Sequence, residues 1–188
     1  MVDTRKSRPG AGDGAYRLAG AADAAALVTL VNSAYRGETS RRGWTTEADL
    51  LGGQRVDCDS IVELLQRPDT VLLLAEQAGA LRSCCELRQL SDDTAYFGMF
   101  CVSPGMQGHG LGRQMLAEAE RRVVQKWGCT RMVMTVLRQR DDLISWYERR
   151  GYRRTGRRQP FPYGDTRLGI PKRGDLEFEE LARELPSR

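Results

Sequence analysis

The run from Ala95 to Trp127 constrains this chain more than any other stretch. Ala95 to Val102 is apolar and strand-like, and an amphipathic helix follows from about Gly110 to Trp127. The join reads Cys101-Val102-Ser103-Pro104-Gly105-Met106-Gln107-Gly108-His109-Gly110-Leu111-Gly112-Arg113 and carries four glycines. A strand led through such a turn into a helix N-terminus presents unpaired first-turn N–H groups and the positive end of the helix dipole. Glycine lets a ligand approach that backbone closely, so an anion such as phosphate suits the place. The spacing is neither the dinucleotide fingerprint G-x-G-x-x-G nor a P-loop, since no Gly-Lys-Ser/Thr follows. On spacing alone, a structural turn and a ligand cradle stay equally open.

The chain supplies enough material for a packed core around this unit. Its 188 residues are 40% hydrophobic, which suits one globular domain. The net charge of +4 is mildly basic and does not argue for nucleic acid. No apolar run approaches the ~20 residues that span a bilayer. The N-terminus lacks the apolar core of a signal peptide, so a cytoplasmic location is expected. The five cysteines, Cys58, Cys84, Cys85, Cys101 and Cys129, form no C-x-x-C pair. His109 is the only histidine, so no metal site and no Ser-His or Cys-His pair is expected. Cys101 reads as a small buried strand residue rather than a nucleophile.

In chain order, residues 1–14 read as a mobile tail and Tyr16-Arg17-Leu18 as a short strand. Asp23 is placed to cap a helix over Ala24 to Tyr35 with Leu27, Leu30, Val31 and Ala34 on one face. Gly37 to Thr46 is a loop, and Thr46 with Asp49 marks a helix start broken at Gly52-Gly53. A helix from Ser60 ends at Pro68. Thr70–Glu76, Ala80–Arg88 and Ala95–Val102 read as three antiparallel strands. After the glycine turn, Gly110 to Trp127 is helix. Arg131–Leu137 is a strand parallel to Ala95–Val102, because a helix intervenes. Asp141 or Asp142 caps a helix through Tyr147 to Arg150. Tyr152–Thr155 and Leu176–Leu181 are the last strands, around a loop from Pro160 to Gly174, and residues 183–188 form a C-terminal tail.

Two motifs lie on these elements. Gln107, Gly110 and Gly112 meet Gln-x-x-Gly-x-Gly. One helix and one strand later, Tyr147, Gly151 and Tyr152 meet Tyr-x-x-x-Gly-Phe/Tyr. With the element order, these resemble the GNAT superfamily of N-acetyltransferases over roughly residues 15 to 182. The stretches Arg42 to Glu47 and Pro160 to Asp165 look like a bacterial subgroup of it. The resemblance implies an α/β (mixed α+β) fold: a mixed, mostly antiparallel central sheet with splayed strands and flanking helices. It implies acetyl-CoA as co-substrate and no metal. Backbone N–H groups of Gln107, Gly108, His109, Gly110, Leu111, Gly112 and Arg113 would hold the coenzyme A pyrophosphate. The backbone around Phe100, Cys101 and Val102 would pair with the pantetheine arm between splayed strands, and Tyr147 would protonate the leaving thiolate. A phenol of pKa ~10 is a reasonable partner for a thiol of ~8.5.

The chain departs from the family in two places. Arg140 and Leu143 stand where Asn and Ala are common, so Arg140 is a candidate contact to the coenzyme. The strand Ala95–Val102 lacks the Glu that often serves as base. Glu86 on the neighbouring strand and Glu47 in the substrate-side loop are the candidates, directly or through water. Arg41, Arg42, Trp44 and Glu47 overlook the acceptor side by resemblance, with Arg41 or Arg42 set to meet an acceptor carboxylate. Six arginines between Arg149 and Arg158 form a solvated face or a patch for an acidic coenzyme. The expected activity is acetyl transfer from acetyl-CoA to a primary amine of a small molecule. A protein or peptide amine, and a non-catalytic acyl-CoA sensor, are the alternatives. Monomer and homodimer both stay open.

Overall fold

The computed structural model of the chain describes residues 15–186. The tail expected over residues 1–14 lies outside them. The strands are β1 (Ala15–Leu18), β2 (Leu51–Gly52), β3 (Thr70–Gln77), β4 (Ala80–Gln89), β5 (Thr94–Val102), β6 (Arg131–Leu137), β7 (Arg153–Pro160), β8 (Ile170–Pro171) and β9 (Glu177–Glu184). The helices are α1 (Ala24–Tyr35), α2 (Gly37–Ser40), α3 (Cys58–Gln66), α4 (Leu111–Trp127) and α5 (Asp141–Glu148).

Among the described residues, seven strands make one sheet in the order β1-β3-β4-β5-β6-β9-β7, with β5 and β6 its one parallel pair. The β3–β4 hairpin turns through Ala78 and Gly79, both at positive φ. The period of two along β3 explains its burial on both faces. Leu73 and Ala75 join the core under α4 and α5, with Phe97, Met115, Ile144 and Leu181. Leu72 and Leu74 join the opposite core under α1 and α3, with Leu27, Val31, Ile61 and Cys101.

Several local expectations are corrected. No helix starts at Thr46; the chain turns there and Leu51–Gly52 pairs with Ile170–Pro171. That pairing joins stretches far apart in the chain, so no local pattern announces it. The loop expected over Pro160–Gly174 therefore contains β8, and a short helix lies in the loop expected over Gly37–Thr46. Asp23 precedes α1 but does not cap it; its carboxylate accepts from Gly20 N at 2.8 Å and from Arg17. At the start of α5 the N-cap residue is Arg140, not Asp141 or Asp142, which fall inside the helix as its first two residues. The final strand runs to Glu184 and Leu185 is buried, so the chain stays packed beyond Leu181.

Candidate active site

The site begins as an irregularity in β5. Across β4 and β5, Glu86 faces Gly98 and Cys84 faces Cys101, so Met99 and Phe100 together oppose Cys85. This is a β-bulge, with Met99 at φ 43°. The extra residue changes which face each side chain meets. Phe97 and Phe100, three apart, fall on the same core with ring centroids 5.2 Å apart. The carbonyls beyond the bulge are each met by a side chain. Tyr35 Oη donates to Phe100 O at 2.5 Å, Ser83 Oγ to Cys101 O at 2.7 Å and Gln107 Nε2 to Val102 O at 3.0 Å.

The second irregularity lies between β5 and β6. Their pairing starts at Thr94 with Arg131 and stops at Tyr96 with Val133. Past that point β6 continues with β9 as far as Leu137. The two strands part there, as the resemblance implies, and the Tyr96 hydroxyl meets Thr135 Oγ1 across the gap at 3.2 Å. A cavity of about 230 Å³ opens there, lined by Tyr35, Glu47, Arg55, Tyr96, Phe100 and Tyr147 among others.

A second cavity of about 340 Å³ lies at the N-terminus of α4, and Phe100 lines both. Gly108 and Gly110 have φ of 84° and 83°, conformations that L side chains rarely adopt. Among the described residues, the amides of Gly108 to Arg113 meet no backbone or side-chain acceptor, as the first turn of a helix requires. A Cβ at Gly112 would lie 3.4 Å from Phe100 and 3.6 Å from Trp146, ordinary contact distances, so the start of the helix packs beside both rings. The cavity wall carries Arg113 and Arg150. The Arg150 guanidinium lies 3.4 Å over the Trp146 ring and donates to Trp146 O at 2.6 Å. Burial first, then the neighbouring Arg149 and Arg113, lowers its pKa. Two cations beside free amides at a helix N-terminus are a good receiver for a polyphosphate.

Gln107 ties this loop to a distant one. Its Oε1 accepts the Trp44 N–H at 2.8 Å, and its Nε2 donates to Thr45 Oγ1 at 2.9 Å as well as to Val102 O. The approach needs Gly43, where a Cβ would come within 2.7 Å of the Gln107 amide. His109 stays exposed with Nδ1 2.9 Å from Gln107 O. Arg140 supports the same segment from below. Its guanidinium, buried, donates to the carbonyls of Trp44 (2.7 Å), Thr45 (3.1 Å) and Thr46 (2.8 Å) and pairs with Asp142. Arg140 is therefore beneath the loop rather than in the wall of either cavity.

Tyr147 is buried on α5, edge-on to Trp146 at 5.0 Å, and lines the smaller cavity. Burial pushes its phenol well above the usual tyrosine range, so it stays protonated. Burial does the same to Tyr35. Glu47 lines that cavity too, held by Arg36 Nη1 at 2.6 Å. Glu86 is half-buried on the sheet face that carries Tyr96; desolvation raises its pKa against the pull of Arg88, Arg55 and Arg67. It is not in the cavity wall. Arg41 is exposed and paired with Glu38 and Asp49, and Arg42 is exposed. Trp44 lies in the wall of the larger cavity, 5.8 Å from Trp146. Sequence reasoning does not single out Tyr35, Arg55 or Tyr96 as site residues, and it offers Arg150 only as one of the six arginines of a patch for an acidic coenzyme. Tyr96 and Gly98 alternate on one face of an otherwise apolar strand, which is the available signal for that pair.

Among the described residues no group of three or more His, Cys, Asp and Glu could hold a metal ion. No helix among them is long and apolar enough to cross a membrane.

Residues 28–152 match the model of the Acetyltransferase (GNAT) family. No curated protein matches the sequence. Several solved structures share the fold. The ribosomal-protein-S18-alanine N-acetyltransferase of Escherichia coli superposes with a TM-score of 0.69 at 15% identity, covering 94% of this chain and 96% of that one. The yncA protein of Salmonella typhimurium, solved with its cofactor acetyl-CoA, gives 0.66 at 19% identity, covering 94% and 96%. A GNAT family acetyltransferase of Elizabethkingia anophelis with acetyl-CoA bound gives 0.57 at 19% identity, covering 68% and 82%. The family match spans the bulged strand, the glycine turn, α4, the parted strands and Tyr147, and on it this chain belongs to the GNAT family of acetyltransferases.

Proposed function

We propose that the chain is an acetyl-CoA-dependent N-acetyltransferase acting on the primary amine of a small molecule by direct attack on the thioester. The observation that carries this reading is Phe100, which lines both cavities: one beside unpaired helix-start amides, the other beside a protonated tyrosine.

The amides of Gly108 to Arg113 bind the coenzyme's pyrophosphate, with Arg113 and Arg150 adding charge. Gln107 and His109 shape that turn. The strand edge at Phe100, Cys101 and Val102 orients the pantetheine arm where β5 and β6 part. Acetyl-CoA, when bound, supplies the activated acyl carbon. Tyr147 is protonated at neutral pH and gives its hydroxyl proton to the departing thiolate, whose own basicity the same desolvation raises. Glu47 is the carboxylate among the residues lining the acceptor cavity, so it faces the incoming amine. Glu86, outside that wall, acts only through water or Tyr96. The small volume of this cavity, about 230 Å³, favours a small amine over a folded protein surface.

The test is release of free thiol from acetyl-CoA across a panel of small amines, beside melting with and without acetyl-CoA. Turnover on at least one amine is expected. Stabilisation by acetyl-CoA without turnover would turn the reading to an acyl-CoA sensor, and no stabilisation would remove the coenzyme site.

A further inference from the structure

The charges around the acceptor cavity do not balance. Glu47 is already met by Arg36 at 2.6 Å, both largely buried. Arg55 lines the same cavity, half-buried, and among the described residues no carboxylate lies within ion-pair distance of it. Its guanidinium instead sits over the Tyr35 ring, 5.8 Å from the centroid. Glu86 feels Arg55 and Arg88, and also Arg67 and Asp69, which pair with each other at 3.1 Å and so offset one another. Tyr35, Tyr96 and Tyr147 add no negative charge, since burial raises each phenol. The neighbourhood thus holds more guanidinium than carboxylate.

Arg55 is also held in position. Asn32 on α1 accepts from the N–H groups of Arg55 (2.7 Å) and Val56 (3.3 Å) through Oδ1, and donates to Val56 O at 2.9 Å through Nδ2. The residue lies outside any helix or strand, yet its backbone is pinned to one. The ring beneath its guanidinium belongs to Tyr35, whose hydroxyl is fixed on the Phe100 carbonyl. Arg55 is therefore presented at a set place relative to the bulge.

An acceptor carrying only ammonium would meet net positive charge here, whereas an anion on the same molecule would complete the pairing. We infer that the acceptor is a small zwitterion, an amine that also carries a carboxylate, with Arg55 receiving the carboxylate and Glu47 facing the amine. This rests on the N-acetyltransferase reading above and adds the substrate class and a specificity-determining residue. Planar guanidinium suits the bidentate geometry of a carboxylate, which lysine cannot copy.

The experiment measures kcat/KM with acetyl-CoA for the proteinogenic L-amino acids, each beside its carboxamide and its decarboxylated amine. Wild type and the Arg55→Gln and Arg55→Lys variants are compared. For the best acceptor, the acid is expected to exceed its carboxamide by about 10- to 100-fold, the range of one charge-assisted contact. Arg55→Gln should collapse that ratio toward one, and Arg55→Lys should restore part of it. A variant that merely loosened the fold would slow acids and carboxamides alike and leave the ratio unmoved. Neutral amines acetylated as well as the acids, or a ratio unmoved in Arg55→Gln, would overturn the zwitterion while the N-acetyltransferase reading stands. Absence of thiol release with every amine, while acetyl-CoA still raises the melting temperature, would overturn both.

Discussion

The Tyr35 hydroxyl donates to the Phe100 carbonyl at 2.5 Å, joining the end of α1 to the bulge in β5. Removing it leaves a buried carbonyl short of a partner at the residue that lines both cavities. Tyr35→Phe is expected to cost about 1–3 kcal/mol, lowering Tm by about 2–10 °C. Differential scanning calorimetry measures the first effect. A steady-state assay should show a larger fall in kcat than in acetyl-CoA affinity.

Tyr147→Phe removes the proposed proton donor and little volume. It is expected to lower kcat by about 10²–10⁴-fold, with the KM for acetyl-CoA nearly kept. Because burial raises the phenol's pKa, its proton is lost only far above neutrality. The wild-type rate should show no Tyr147-dependent fall on the basic side up to about pH 10. A descending limb below that pH that disappears in Tyr147→Phe would refute the assignment.

Gly98 makes room for the Tyr96 ring, since a Cβ there would come within 2.4 Å of Tyr96 Cε1. Gly98→Ala must move that ring off Thr135 and away from Arg88, whose guanidinium stacks on it at 4.9 Å. The expected cost is about 1–3 kcal/mol from overpacking. The acceptor KM should change more than that of acetyl-CoA, as initial-rate kinetics in both substrates would show.

Glu86 titrates in the direction opposite to an ion-paired acid. Burial raises its folded pKa, so the folded state binds more protons than the unfolded one between the two values. Its contribution to stability is therefore most favourable below the unfolded pKa and falls as pH rises through the folded pKa. Glu86→Gln should raise Tm at neutral pH relative to wild type, and the gain should vanish near pH ~4, where the unfolded carboxyl titrates. A loss of stability at neutral pH would mean that the surrounding arginines outweigh desolvation.

Arg140→Ala removes donors from three backbone carbonyls at once. A loss of roughly 2–4 kcal/mol is expected from these unmet acceptors and from Asp142. Urea unfolding measures it. Acetyl-CoA affinity should weaken as well, because Trp44 rides on this segment.

The features legible in the sequence are those set by neighbours in the chain. The glycines from Gly105 to Gly112, the apolar stripe Met115, Leu116, Ala119 and Val123, and the apolar run along Thr70–Glu76 each specify their own element. The parting of β5 from β6 follows from the resemblance, not from any pattern in either strand. Long-range partners are hidden. Nothing near Arg140 says that its guanidinium will collect carbonyls from residues 44–46, and nothing near Leu51 says that Pro171 will pair beside it. Arg55 is invisible for the same reason. Its role comes from Asn32, Tyr35 and Glu47, which the fold brings to it.

The amide of Gln107 has a consequence for exchange between relatives. The family resemblance allows Arg or Gln at the first position of the glycine motif, which makes the two look interchangeable. In this molecule the position must both give and accept: Nε2 gives to Thr45 and Val102 while Oε1 takes the Trp44 N–H. Arginine has only donors, and so cannot accept the Trp44 N–H. An exchange to arginine would here unfasten one loop from the other, so glutamine at this position is tied to a residue sixty-three positions away.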